Sequence, residues 1–239
     1  MNFNQHPELI QGGMGIAVSN WVLAKAVSQQ GYLGIVSGTA INSVLVRRLQ
    51  DGDLSGDTRR ALKSFPSQVI AEKILENYYI EGGKSADQPY KRAPLYNLKS
   101  PLFLLQTTMV ASYVEVFLAK EGHNGKVGFN LLEKVVLPNL ACLYGALLAD
   151  VEYVIMGAGI PREIPGALDL LSQNKVASLK VPVVGATAED HFKTTFDPSE
   201  VLGEEYFFPL RRPFFFPIVS SSTLAMNLKK KSTCAPFAK

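Results

Sequence analysis

Apolar and polar positions alternate along this chain in two rhythms. Short, nearly unbroken apolar runs occur at Pro7-Glu8-Leu9-Ile10, Gly31 to Gly38, Lys126 to Leu132, Glu152 to Met156 and Phe214 to Ser220. Between them lie longer stretches with apolar residues three and four apart, the spacing of a helix with one buried face. That spacing predicts helices over Asn20 to Gln30, Ile41 to Gln50, Phe65 to Ile80, Thr107 to Lys120, Pro138 to Ala149, Pro161 to Asn174 and Ser221 to about Lys230. Ser178 to Ala186 has strand composition, and the polar, proline-containing stretch Glu81 to Pro101 reads as a surface excursion.

The order is strand, helix, strand, helix, and the strands are apolar throughout rather than alternating. Those are marks of a parallel sheet covered by helices. Small residues recur where strands end: Gln11-Gly12-Gly13-Met14-Gly15, Ser37-Gly38 and Gly157-Ala158-Gly159. Glycine there lets the backbone approach a ligand without Cβ interference. An open nucleotide-binding sheet carries its glycine fingerprint after the first strand, whereas a barrel gathers a ligand site from many strand ends. The expected fold is therefore α/β of the TIM-barrel type, (β/α)8, and 239 residues suit a single domain of that size.

Composition narrows the picture modestly. With 47% hydrophobic and 19% charged residues the chain can bury a sizeable core, and a net charge of +3 without a basic-aromatic stripe disfavours nucleic acid. Lys229-Lys230-Lys231 suits the cationic end of a helix. Cys142 and Cys234 form neither a disulfide framework nor a metal spacing, and Cys142 sits in an apolar helix. With no secretory signal pattern and no apolar run of membrane-spanning length, the expectation is a cytoplasmic protein without membrane contact.

The segments Leu9 to Gly15, Gly31 to Ser37, Lys126 to Lys134, Met156 to Gly166 and Phe216 to Ser221 together resemble the nitronate monooxygenase (2-nitropropane dioxygenase-like) flavoproteins, in that family's order. The resemblance implies a barrel binding FMN at the C-terminal ends of its strands and oxidising alkyl nitronates with molecular oxygen. It places the Gly12-Gly13-Met14 backbone against the flavin ring, the Asn130 amide on the flavin or its ribityl chain, and Gly157 and Gly159 at the next strand exit. Flavin-dependent enoyl reductases of the polyunsaturated fatty acid synthase type share the glycine-methionine opening and form a second reading; a non-catalytic fragment is a third.

Departures from the family are equally legible. Its Gly-Gly-His motif is absent, so no catalytic residue is assigned, and His6, His123 and His191 are expected to be structural or surface residues. By comparison with the family, Phe214 to Ser220 is the fifth barrel strand, with insertions at about 42–124 and 175–212. The chain is then expected to be a truncated barrel of about five βα units. Its uncovered edges and the phenylalanines 207, 208 and 214–216 would favour self-association. Arg47-Arg48, Arg59-Arg60 and Arg211-Arg212 are read as solvated charges or local ion pairs, and Tyr144 and Tyr153 as core or rim aromatics.

Overall fold

A computed structural model describes residues 6–187 and 189–231. Its elements, in chain order, are α1 (Trp21–Gln29), β1 (Gly34–Ser37), α2 (Ile41–Gln50), α3 (Asp57–Lys63), α4 (Gln68–Tyr78), α5 (Leu102–Lys120), β2 (Val127–Leu132), α6 (Val136–Leu148), β3 (Tyr153–Gly157), α7 (Ile164–Leu171), β4 (Ala177–Lys180), β5 (Lys193–Phe196), α8 (Pro198–Val201), β6 (Phe214–Pro217) and α9 (Ser222–Lys231). The fold is α/β, with one parallel sheet in the order β1-β2-β3-β6. The expected first strand contracts to a parallel bridge, Ile10 to Leu33, which extends the sheet beside β1. Two backbone hydrogen bonds hold it, Gln11 N to the Leu33 carbonyl and Leu33 N to the Leu9 carbonyl, each 3.0 Å.

Side chains alternate across each strand, and the two faces have different fates. Val36, Val127, Phe129, Leu131, Val154, Met156 and Phe215 point into the main core, which the helices complete. Leu33, Ile35, Tyr153 and Ile155 form a second, small cluster on the opposite face, with Phe216 packed against it. His6 meets the rings of Tyr153, Phe214 and Phe216 edge-on there. Around this cluster Leu9, Ile10, Phe214 and Ile218 remain exposed. Of the phenylalanines at 207, 208 and 214–216, Phe208 and Phe214 are exposed, whereas Phe215 is buried because its strand position faces the helices.

α5 is the central helix, packed on α1, α2, α3, α4 and α6. Its 19 residues are long and apolar enough to cross a membrane, which corrects the expectation that no run reaches that length; 78% of its most apolar window is buried among the other helices. The helix begins one and a half turns earlier than its periodicity suggested, with Pro101 as N-cap. One buried carboxylate ties three helices together. Glu115 accepts from the Trp21 N–H at the start of α1 (3.0 Å) and from the Arg48 guanidinium of α2. Burial raises its pKa above the ordinary value, while Arg48 and the Trp21 N–H pull in the other direction.

The segment after α7 forms an antiparallel hairpin, β4 with β5, apart from the main sheet. It packs on α6 and α7, and of the stretch Ser178 to Ala186 expected as a strand only Ser178 to Lys180 is one, in this hairpin and not in the parallel ladder. Of the terminal expectations, Cys234 and the ending after Lys231 lie outside the described residues, as do the side chains of Lys229, Lys230 and Lys231.

Candidate functional site at the strand exits

Because the sheet is parallel, β1, β2, β3 and β6 all end on the same side. The segment Gln11 to Ser19 folds across the first of these ends, and short polar side chains fasten it. The Gln11 Oε1 accepts from Ile35 N at 2.8 Å, and its Nε2 donates to the Ser19 hydroxyl at 3.0 Å. The buried Ser19 hydroxyl accepts from Met14 N and donates to the Gly12 carbonyl, both at 2.9 Å. Ser37, at the end of β1, donates its hydroxyl to the Gly15 carbonyl at 2.6 Å and its N–H to the Ser19 carbonyl at 2.8 Å. Gly12 and Met14 face outward, Met14 at 67% exposure. The loop therefore presents backbone and one thioether side chain from a rigidly held frame.

Asn130, on β2, joins this loop to the sheet. Its Nδ2 donates to the Gly13 carbonyl at 2.6 Å, and its backbone carbonyl accepts from Gly38 N at 2.8 Å. Gly13 has to be glycine in this arrangement: a Cβ would lie 2.5 Å from Ile35 Cγ2 and 2.6 Å from Asn130 Cβ. Asn130 is only 8% exposed, and its Oδ1 has no hydrogen-bond partner among the described residues. A buried amide oxygen left without a donor costs about 1–3 kcal/mol. The oxygen has no surface of its own open to solvent, so a ligand bringing an N–H or O–H would reach it by displacing part of the Gly12 to Met14 loop.

The remaining residues expected at the site stand one strand further on, and their space is taken by the chain itself. Gly157 ends β3 opposite Leu132, and a Cβ there would meet Ile218 at 3.0 Å. A Cβ on Gly159 would fall on the Glu133 carboxylate. Thus Gly12, Gly13, Met14 and Asn130 form one cluster, while Gly157 and Gly159 serve local packing of the Ile218 and Glu133 side chains.

Elsewhere the polar residues are spent on structure. His123 Nε2 donates to the Ala119 carbonyl at 2.6 Å while Nδ1 accepts from Gly125 N at 3.0 Å, which fixes the ring's tautomer and closes the end of α5. His6 sits 3.3 Å from the Tyr153 hydroxyl within its aromatic cluster, and His191 is exposed. Arg48, Arg59, Arg60, Arg211 and Arg212 pair with Glu115, Asp53, Asp57 and Glu121, Asp150 and Glu152, and Asp169. Arg47 instead stacks over Tyr90. Tyr144 and Tyr153 are buried, and burial pushes both phenols above their ordinary pKa. Among the described residues no group of three or more His, Cys, Asp or Glu side chains converges on one point.

No family model, curated protein or solved structure matches this chain. The geometry at the strand exits therefore carries the functional argument. Sequence reasoning missed Ser19, whose only signal is a hydroxyl flanking a glycine-rich segment, and read Ser37 only as a small residue at a strand exit.

Proposed function

We propose that the chain is an FMN-binding oxidoreductase of the nitronate monooxygenase type, with the flavin held at the exits of the parallel strands. In this reading the four-stranded sheet and its flanking bridge are part of the wall of a TIM-type barrel. The observation that carries it is the buried Oδ1 of Asn130, without a hydrogen-bond partner among the described residues, beside the exposed Gly12 and Met14. An isoalloxazine ring offers both an N–H for that oxygen and a flat face for a backbone without side chains.

FMN, when bound, supplies the redox chemistry between an alkyl nitronate and molecular oxygen. The protein's own contribution is positioning. Asn130 would accept a hydrogen bond from the ligand once the loop yields, and Gln11, Ser19 and Ser37 would hold the rest of that loop in place. A nitronate is already an anion equivalent of a carbanion, so the site requires no strong base. No residue is assigned that role.

The test is direct. The purified chain is mixed with FMN, excess flavin is removed, and the visible spectrum and oxygen uptake on an alkyl nitronate are recorded. Retained oxidised-flavin absorbance with oxygen uptake supports the reading. NAD(P)H-dependent reduction of an enoyl substrate with no nitronate oxidation would replace it with the enoyl reductase reading. A colourless, folded protein in saturating FMN would refute both and leave a non-catalytic chain.

A further inference from the structure

We propose that the cavity between the first turns of α2 and α6 is a second binding site, for a monocarboxylic acid with an aliphatic chain. The cavity measures about 530 Å³, inside the range of about 300–1,000 Å³ typical of small-molecule sites. Leu131 and Leu132 from the end of β2, Val136 and Leu137 from α6, and Ala93 and Tyr96 from the excursion before α5 form most of its wall. It lies beside the helix layer, off the glycine loop, and neither Gly12, Gly13, Met14 nor Asn130 lines it.

Its polar groups divide into two kinds, those already hydrogen-bonded within the chain and those that are not. Those in the wall are already spent on the chain. The Tyr96 hydroxyl donates to Thr108, whose own hydroxyl donates to the Leu104 carbonyl at 2.9 Å. Asn139 Nδ2 donates to the Leu132 carbonyl at 3.1 Å. Burial pushes the Cys142 thiol up to about 12, so this part of the wall carries no charge. The inner cavity thus offers apolar surface and no free donor for a sugar, base or phosphate.

The rim is different. Lys134 is the one charged residue among those lining the cavity; it is exposed and has no ion pair among the described residues, and no Asp or Glu lines the space. Asn42 and Ser43, in the first turn of α2, also line the cavity, and α2 and α6 both begin without a side-chain cap. A cationic rim over an apolar interior complements an anionic head on an apolar chain. A carboxylate is preferred to a phosphate ester because a single lysine faces it.

The experiment is calorimetric titration of the full chain with decanoate and with the neutral alcohol decanol. Decanoate is expected to bind one per chain, and decanol about two- to fivefold more weakly, the worth of one exposed ion pair. Lys134→Gln should remove that difference by weakening decanoate alone. Leu137→Trp, which fills the cavity, should abolish binding of both; Ala93→Phe fills it from the opposite wall and replaces Leu137→Trp if circular dichroism shows that variant unfolded. Absence of decanoate binding to the wild type overturns the proposal. Equal affinities for acid and alcohol, unchanged in Lys134→Gln, overturn the carboxylate assignment. Wild-type affinity in both folded filling variants overturns the location.

Discussion

Asn130 permits a sharp test, because two substitutions at one position should affect stability very differently. Asn130→Asp keeps the shape and replaces the donor that meets the Gly13 carbonyl at 2.6 Å with a second acceptor. At 8% exposure the new carboxylate is buried without a partner, and the loss should be about 3–5 kcal/mol at pH 8. That carboxyl's folded pKa would lie above its unfolded value of about 3.9, so protonation favours the folded state. The deficit should shrink as pH falls, by about 1.4 kcal/mol per unit between the raised folded value and about 3.9, because the neutral acid can donate to Gly13. Asn130→Leu removes both the hydrogen bond, worth about 0.5–1.5 kcal/mol, and the unsatisfied oxygen, which costs about 1–3 kcal/mol. Its stability should therefore lie between about 0.5 kcal/mol below and about 2.5 kcal/mol above the wild type while FMN retention is lost. Urea denaturation of the three proteins at pH 5 and pH 8 reads both effects. A wild-type-like Asn130→Asp at pH 8, or an Asn130→Leu that loses more than about 2 kcal/mol, would refute the reasoning.

Three further outcomes follow from packing and charge. Gly145→Ala in α6 would ordinarily gain up to about 1 kcal/mol of helix propensity. Here the new methyl falls on the Met109 backbone carbonyl of α5, so denaturant melts should instead show a net loss of about 1–3 kcal/mol. For Glu115, whose folded pKa burial raises from 4.5, folding takes up protons above that value. The stability of the wild type relative to Glu115→Gln should fall as pH rises from about 4.5, and a flat difference between pH 4 and 8 would contradict it. His123→Ala should cost about 1 kcal/mol, seen as a melting point lower by about 2–4 °C, by freeing the end of α5.

The strands were legible because a parallel sheet with apolar residues on both faces writes each strand as a continuous run. Gly31 to Gly38 and Lys126 to Leu132 contain β1 and β2 on that ground, and Ile41 to Gln50 coincides with α2. α3 was not legible: seven residues, largely polar, are fixed by Asp53, whose two carboxylate oxygens accept from Thr58 N and Arg59 N at 3.0 and 2.8 Å. That cap is a matter of loop geometry, to which periodicity is blind. At the site, the position of Asn130 near a strand exit could be read, whereas its bond to Gly13 spans 117 residues. The packing of Gly159 against Glu133 was hidden for the same reason. The cavity lining is drawn from five separate segments with no shared motif, so composition alone could not assemble it.

The order of the sheet also bears on how the chain reaches it. β1 pairs Gly34 with Val127, and β3 pairs Tyr153 with Phe214, so each of these ladders closes a loop far longer than the usual connection of about 4–6 residues. Closing such loops costs entropy before any strand contact rewards it, which slows folding. The contacts of α5 with α6, neighbours across β2, are shorter in range and can form first. Productive folding would then run from the helix pair outward, with the β1 and β6 ladders added late and their backbone edges open to other chains in the interval. Newly made chains are thus most exposed to aggregation while that helix pair is already in place.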